Sequence, residues 1–165
     1  MIILKNKIYK QAIEIGSGTG IQIIVSSKSA KLCKAIDYNK RAVEYTKLNV
    51  VINKIQNIQT YYSNIFEDAE GKFDLILANP WFIDLEKGGL EEVPFIIKNL
   101  DQYLEKDGLC IMLLNSYIKG GKDTVFDYLK NFIKSTVISK PINNAICINK
   151  CEISYFSKYR CFISL

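Results

Sequence analysis

The sequence contains no histidine. This excludes the Ser-His-Asp and Cys-His arrangements, in which an imidazole takes the proton of the nucleophile. The five cysteines, at 33, 110, 147, 151 and 161, have no regular spacing and lie in apolar, strand-like stretches. An odd, irregular set of this kind does not make a disulfide framework. Cys147 and Cys151 are one close pair without a second, so no metal site is expected. No apolar run approaches the ~20 residues of a membrane span. The opening "MIILKNKIYK" is too short in apolar residues for a secretion signal and has no small-residue cleavage site. A soluble, cytoplasmic chain without membrane attachment is therefore expected. There is no run of basic residues either. The net charge of +5 comes from scattered lysines. A polyanionic partner and an AT-rich coding sequence, which raises Lys, Asn and Ile together, both account for it.

What is present is ample apolar material, 48% of 165 residues with 24% charged. That suits one globular domain with a real core, spanning 1–165. Strand and helix patterns alternate along it. "KQAIEIG" (10–16) reads as a strand and "GIQIIVSSKSAK" (20–31) as a helix. "LCKAID" (32–37) is a second strand. "NKRAVEYTKLNVVINK" (39–54) is a helix opened by Asn39 as N-cap. "NIQTYYSNIF" (57–66) is a third strand with its exit, and "KFDLILANP" (72–80) a fourth. "LEEVPFIIKNLDQYLEKDG" (90–108) is helical, with Pro94 in the first turn and Gly108 as the stop. "LCIMLLN" (109–115) is a fifth strand and "KDTVFDYLKNFIK" (122–134) another helix. The tail from Val137 is strand-rich, and "YFSKYRCFISL" suggests a hairpin turning near Ser157 and Lys158. This order predicts a doubly wound, mostly parallel α/β sheet with a C-terminal antiparallel hairpin strand.

In such a sheet, ligands bind beyond the carboxyl ends of the strands, at the switch in strand order. The first turn there is "EIGSGTG" (14–20), where three glycines permit a tight turn and a close approach to a ligand. A dinucleotide fingerprint needs a third glycine at position 21, which is Ile21. A phosphate-binding P-loop needs Gly-Lys-Ser/Thr, which does not follow. Asp37 ends the second strand, 17 residues after Gly20, where a carboxylate can accept both hydroxyls of a ribose. The fourth strand ends in "NPWF", where an amide and a proline meet two large rings.

Together these stretches resemble the class I S-adenosylmethionine (SAM) methyltransferases, over roughly residues 10–115. "EIGSGTG" is similar to that family's cofactor loop. "DYNKRAVEYTKLN" is similar to its second block, with Ala42 and Asn49 at positions where Ala and Asn recur. "NPWF" resembles the Asn-Pro-Pro-Tyr/Phe motif of the amino-group methyltransferases, which act on adenine N6, guanine N2 or, in the HemK type, the glutamine amide. "KGGLEEVPFIIKNLDQYLEKDG" looks like the HemK-type stretch after that motif. The resemblance implies a Rossmann-like sheet and SAM as cofactor. It implies cofactor contacts from Glu14, Gly16, Ser17, Gly18, Gly20, Asp37, Tyr38, Asn64 and Ile65. Asn79 and Pro80 become the catalytic pair, and Trp81 and Phe82 the substrate-binding rings. A delocalised nitrogen is a poor nucleophile, so two carbonyl acceptors, Asn79 Oδ1 and the Pro80 carbonyl, would hold its N–H groups as the methyl arrives. Phe82 would stack on the planar target. Glu14 is expected to order the loop or to reach the methionine amine through water rather than to act on substrate.

Two positions depart from the family. Trp81 stands where it has a second proline, and Asn64 where an aspartate is common; an Asn carbonyl can accept the same adenine hydrogen bond. Only 13 residues precede Glu14, so a chain lacking an N-terminal recognition domain is expected, with a homodimer or a partner subunit supplying recognition. Three readings stay open: an N-methyltransferase acting on a planar amine or amide of RNA, DNA or protein, RNA or protein being favoured; a small-molecule or peptide-modifying methyltransferase; and an inactive methyltransferase-like scaffold.

Overall fold

The computed structural model describes residues 7–79, 92–113, 137–138, 142–149 and 152–156. Five parallel strands form the sheet: β1 (Tyr9–Ile15), β2 (Ala30–Asp37), β3 (Ile58–Tyr62), β4 (Phe73–Ala78) and β5 (Leu104–Leu113), in the order β3-β2-β1-β4-β5. The helices are α1 (Ile21–Ser26), α2 (Lys40–Ile52) and α3 (Glu92–Tyr103), and a 3-10 turn, Ser27–Ser29, follows α1. Later described residues are extended: β6 (Val137–Ile138), β7 (Ile142–Asn149) and β8 (Glu152–Phe156). Among the described residues, no helix is long and apolar enough to cross a membrane.

Both faces of the sheet are buried, and each has its own core. Successive strand residues point to opposite faces. Ile13, Ile15, Ile76, Ala78, Cys110 and Met112 pack on one face, against Ile96, Ile97 and Leu100 of α3. Ala12, Leu75 and Leu77 pack on the other, against Ile23 of α1. The near-continuous apolar strands "AIEI" and "LILA" follow from this two-sided burial. Glu14 alternates with Ala12 and so enters the α1 side as a carboxylate among apolar neighbours.

The structure redraws two expected boundaries. The helix expected over 20–31 is shorter, and β2 begins at Ala30, where the chain pairs with Tyr9 of β1. The third strand ends at Tyr62 and its exit follows, as expected. Gly108 does not stop a helix. Helix α3 ends at Tyr103 and Gly108 lies inside β5. Buried Leu104 pairs with Phe73 and Leu109 with Leu75, so β5 carries a bulge between them. Strand pairing with Phe73 overrides the local helical preference of "LEKDG". The expected helix over 122–134 and the turn near Ser157 and Lys158 lie outside the described residues.

Candidate functional site

The strand order reverses between β1 and β4, and the chain leaves both strands there. Ile15 pairs with Ala78, so Gly16 and Asn79 exit the sheet side by side at its carboxyl edge. Ile15 also pairs with Ile36, which sets Asp37 one residue along the same edge. Asp37 pairs with Tyr62, so the turn after β3 begins next to it. Four sequence-predicted segments therefore meet on one edge. Pro80, Trp81 and Phe82 lie outside the described residues.

The loop from Gly16 to Gly20 is held from below and from both sides. Gly16, Gly18 and Gly20 all have positive φ, at 68°, 57° and 78°, which glycine adopts without a Cβ penalty. The Ser17 N–H donates to the Ile36 carbonyl (2.9 Å), and the Gly20 N–H to the Ser17 carbonyl (2.7 Å). The Gly18 N–H donates to Asp37 Oδ2 (2.9 Å). A Cβ built at Gly16 or Gly18 meets no heavy atom within 4 Å, so the loop has an open side. Gly20 is different, because a Cβ there would stand 2.6 Å from Cγ2 of Thr46 on α2. Gly20→Ala would combine that overlap with a left-handed φ, which costs about 1–2 kcal/mol for a residue with a Cβ. We expect a clear drop in the urea midpoint of this variant, with an unchanged slope.

Asp37 is 7% exposed. Beyond Gly18, its Oδ1 accepts from the Asn39 N–H at 2.8 Å. Asn39 caps α2 as expected, its side chain accepting from the Arg41 N–H. Tyr38 is exposed beside it. The Ser63 N–H donates to the Asp37 carbonyl. The Ser63 hydroxyl donates to the Ile65 carbonyl (3.2 Å) and accepts from the Asp68 N–H (3.1 Å). This buried serine fixes the turn that displays Asn64 and Ile65. Ile65 has φ 51°, a left-handed conformation rare for a β-branched residue. Asn64 Nδ2 donates to Glu67, which leaves Oδ1 as the acceptor end.

Glu14 is 1% exposed. Its Oε2 accepts from the Ile23 N–H at 3.1 Å, tying β1 to α1 across the loop. Burial, and to a smaller degree the Asp37 charge, raise its carboxyl to about 8, against a lowering by the Ile23 bond. Desolvation and then the Asp37 charge also raise Glu92, in the first turn of α3. The unfolded chain releases the Glu14 proton near 4.5, whereas the folded one keeps it to about 8. The folded state thus binds more protons across that window, and stability is full below it and lost as pH rises through about 8. At roughly 1.4 kcal/mol per pH unit, the total is a few kcal/mol. Thermal melts of the wild type should fall from pH 5 to pH 8.5. Glu14→Gln keeps a carbonyl acceptor for Ile23 and should flatten that slope.

Sequence reasoning missed Thr46, Ser63 and Glu92.

A family model for the methyltransferase small domain matches residues 1–140. The chain belongs to this family. The methyltransferase is 34% identical to a protein of Methanocaldococcus jannaschii provisionally named protein N5-glutamine methyltransferase, with 76% of this chain and 73% of that one covered. It is 33% identical to the ribosomal protein L11 methyltransferase of Thermoanaerobacter pseudethanolicus, covering 73% of this chain but 36% of that one. The chain thus spans about a third of that relative's length. Among solved structures, the ribosomal protein L11 methylase of Lactobacillus delbrueckii subsp. bulgaricus superposes with a TM-score of 0.63 at 25% identity, over 79% of this chain and 60% of that one. The methyltransferase is an enzyme of methyl transfer, with SAM as its cofactor.

Proposed function

We propose that this methyltransferase places a methyl group on a planar nitrogen, and that the glutamine side-chain amide of a protein substrate is the target. The observation that carries the reading is the register of β1 on β4. It puts the glycine loop and Asn79 shoulder to shoulder at the switch point. The relative named for glutamine N5 methylation, matched over most of its length, supports the amide over a nucleobase.

The residues fit the cofactor. The open side of Gly16 and Gly18 leaves room for a ligand against the backbone. Asp37, fixed by two N–H donors, keeps lone pairs for a pair of ribose hydroxyls. Ser17, Gly20 and Tyr38 flank these groups, and Asn64 with Ile65 supplies an acceptor and an apolar surface for the adenine. Glu14, bonded to Ile23, orders the loop from beneath. SAM supplies an electrophilic methyl on a sulfonium. Asn79, exposed at the end of β4, accepts one N–H of the target amide. The Pro80 carbonyl accepts the other, and Trp81 and Phe82 form the planar walls. Two acceptors aimed at one nitrogen orient its lone pair and stabilise the positive charge that develops as the methyl bonds. The proton leaving the methylated nitrogen is acidic, so water suffices as base and no histidine is needed.

The same proposal includes a C-terminal antiparallel hairpin beyond β5. The registers of Ile111 with Cys147, and of Cys147 with Ser154, support it. It also includes a cytoplasmic setting, a single catalytic domain over 1–165, and a partner or second copy that completes substrate recognition.

The test is incubation with labelled SAM and glutamine-containing peptides and proteins, read by mass spectrometry. Methylation at a glutamine amide is the expected result. Label on RNA alone would replace the substrate class, and binding of SAM without transfer to any acceptor would favour a scaffold.

A further inference from the structure

We infer that Thr46 and Asn49 of α2 are positioning residues for the cofactor loop, turning its peptide groups so that the Thr19 N–H faces the ligand. This rests on the cofactor-loop reading above. Thr46 is fully buried. Its Oγ1 donates to the Gly18 carbonyl at 3.2 Å and lies 3.1 Å from Ser17 Oγ. Asn49 Nδ2 donates to the Thr19 carbonyl at 2.8 Å. The two side chains are three apart, so they share one face of the helix. They take two consecutive carbonyls of the loop.

The consequence follows from peptide geometry. No cis peptide is present among the described residues, and in a trans peptide the C=O and the next N–H point in opposite directions. Drawing the Gly18 carbonyl toward α2 therefore aims the Thr19 N–H away from α2. The neighbouring amides are committed within the protein, Ser17 to Ile36, Gly18 to Asp37 and Gly20 to Ser17. Between Ser17 and Gly20, the Thr19 N–H is thus the donor directed outward, and an anionic group such as an amino-acid carboxylate is its natural acceptor. Cγ2 of Thr46 fills the space that a side chain at position 20 would need.

The test uses the full chain and S-adenosylhomocysteine in calorimetry, well below each variant's unfolding midpoint. Thr46→Val keeps the methyl and removes the hydroxyl; affinity should fall roughly three- to ten-fold, the scale of one backbone hydrogen bond. Thr46→Ser restores the hydroxyl and should recover most of that loss. Asn49→Ala should fall by a similar factor. Asp74 is a control for stability alone, because its Oδ2 accepts from Lys10 and Gln11 N–H at the opposite edge of the sheet. Asp74→Ala should melt earlier and bind as wild type. Thr46→Val binding as wild type, while Asp37→Ala binds poorly, would overturn the inference and leave the site reading intact. A serine variant as weak as the valine would overturn it too. If the wild type binds nothing, or Asp37→Ala binds normally, the site reading falls and takes this inference with it.

Discussion

Asn79→Ala should lose methyl transfer by about a hundred-fold or more, the scale for removing a preorganised transition-state acceptor or donor, while binding SAM within a few-fold of wild type. The geometry separates the two effects. Asn79 is exposed where the chain leaves β4, and no hydrogen bond described for the glycine loop involves it. Its amide carbonyl is free to meet a target nitrogen, and its loss leaves Gly16–Gly20 anchored to β2 and α2. Single-turnover rates at saturating SAM, with calorimetry in parallel, measure both quantities. Equal losses in rate and affinity would make Asn79 a structural residue of the crevice. Asn79→Asp is the sharper companion. It keeps an acceptor of similar shape but adds a charge, so partial activity would identify the carbonyl as the working group.

Asp37→Ala should weaken SAM by about 1–3 kcal/mol, the cost of losing hydrogen bonds to a charged group, or roughly five- to 150-fold in Kd. Two causes act together. In the proposed site the ribose loses its acceptor, and the Gly18 and Asn39 N–H groups lose theirs. The second cause is visible without ligand, as faster hydrogen exchange at Gly18 and Asn39. Asp37→Asn preserves one carbonyl oxygen and should fall between. An unchanged Kd in the alanine variant would place the ribose elsewhere.

The parts legible in the sequence are those whose cause is local. Three alternating glycines announce a turn with positive φ whatever surrounds it. Asn39 announces a cap because its side chain satisfies a neighbour two residues on. The apolar stretches announce strands buried on two faces. The placement of Asp37 and Asn79 on one edge was legible because a doubly wound sheet puts strand ends there. The parts that escaped depend on distant partners. "LEKDG" carries every local sign of a helix end, yet Leu104 finds Phe73 across the sheet and the strand starts there. Thr46 reads as an ordinary polar residue on a helix, and only the close approach of α2 to Gly20 reveals its two hydrogen bonds. Ser63 reads as loop punctuation, and its hold on Ile65 depends on a backbone conformation that no propensity predicts for isoleucine.

The anchoring of the glycine loop has a consequence for timing. Glu14, Ile23, Ile36, Asp37, Thr46 and Asn49 provide its side-chain and backbone supports, and all lie between residues 14 and 49. Contacts so near in sequence close with little loop entropy and form early. During synthesis this stretch is made before Asn79. The half of the crevice proposed to grip the methyl donor can therefore take shape first, and the half proposed to meet the acceptor is added to a cradle already set.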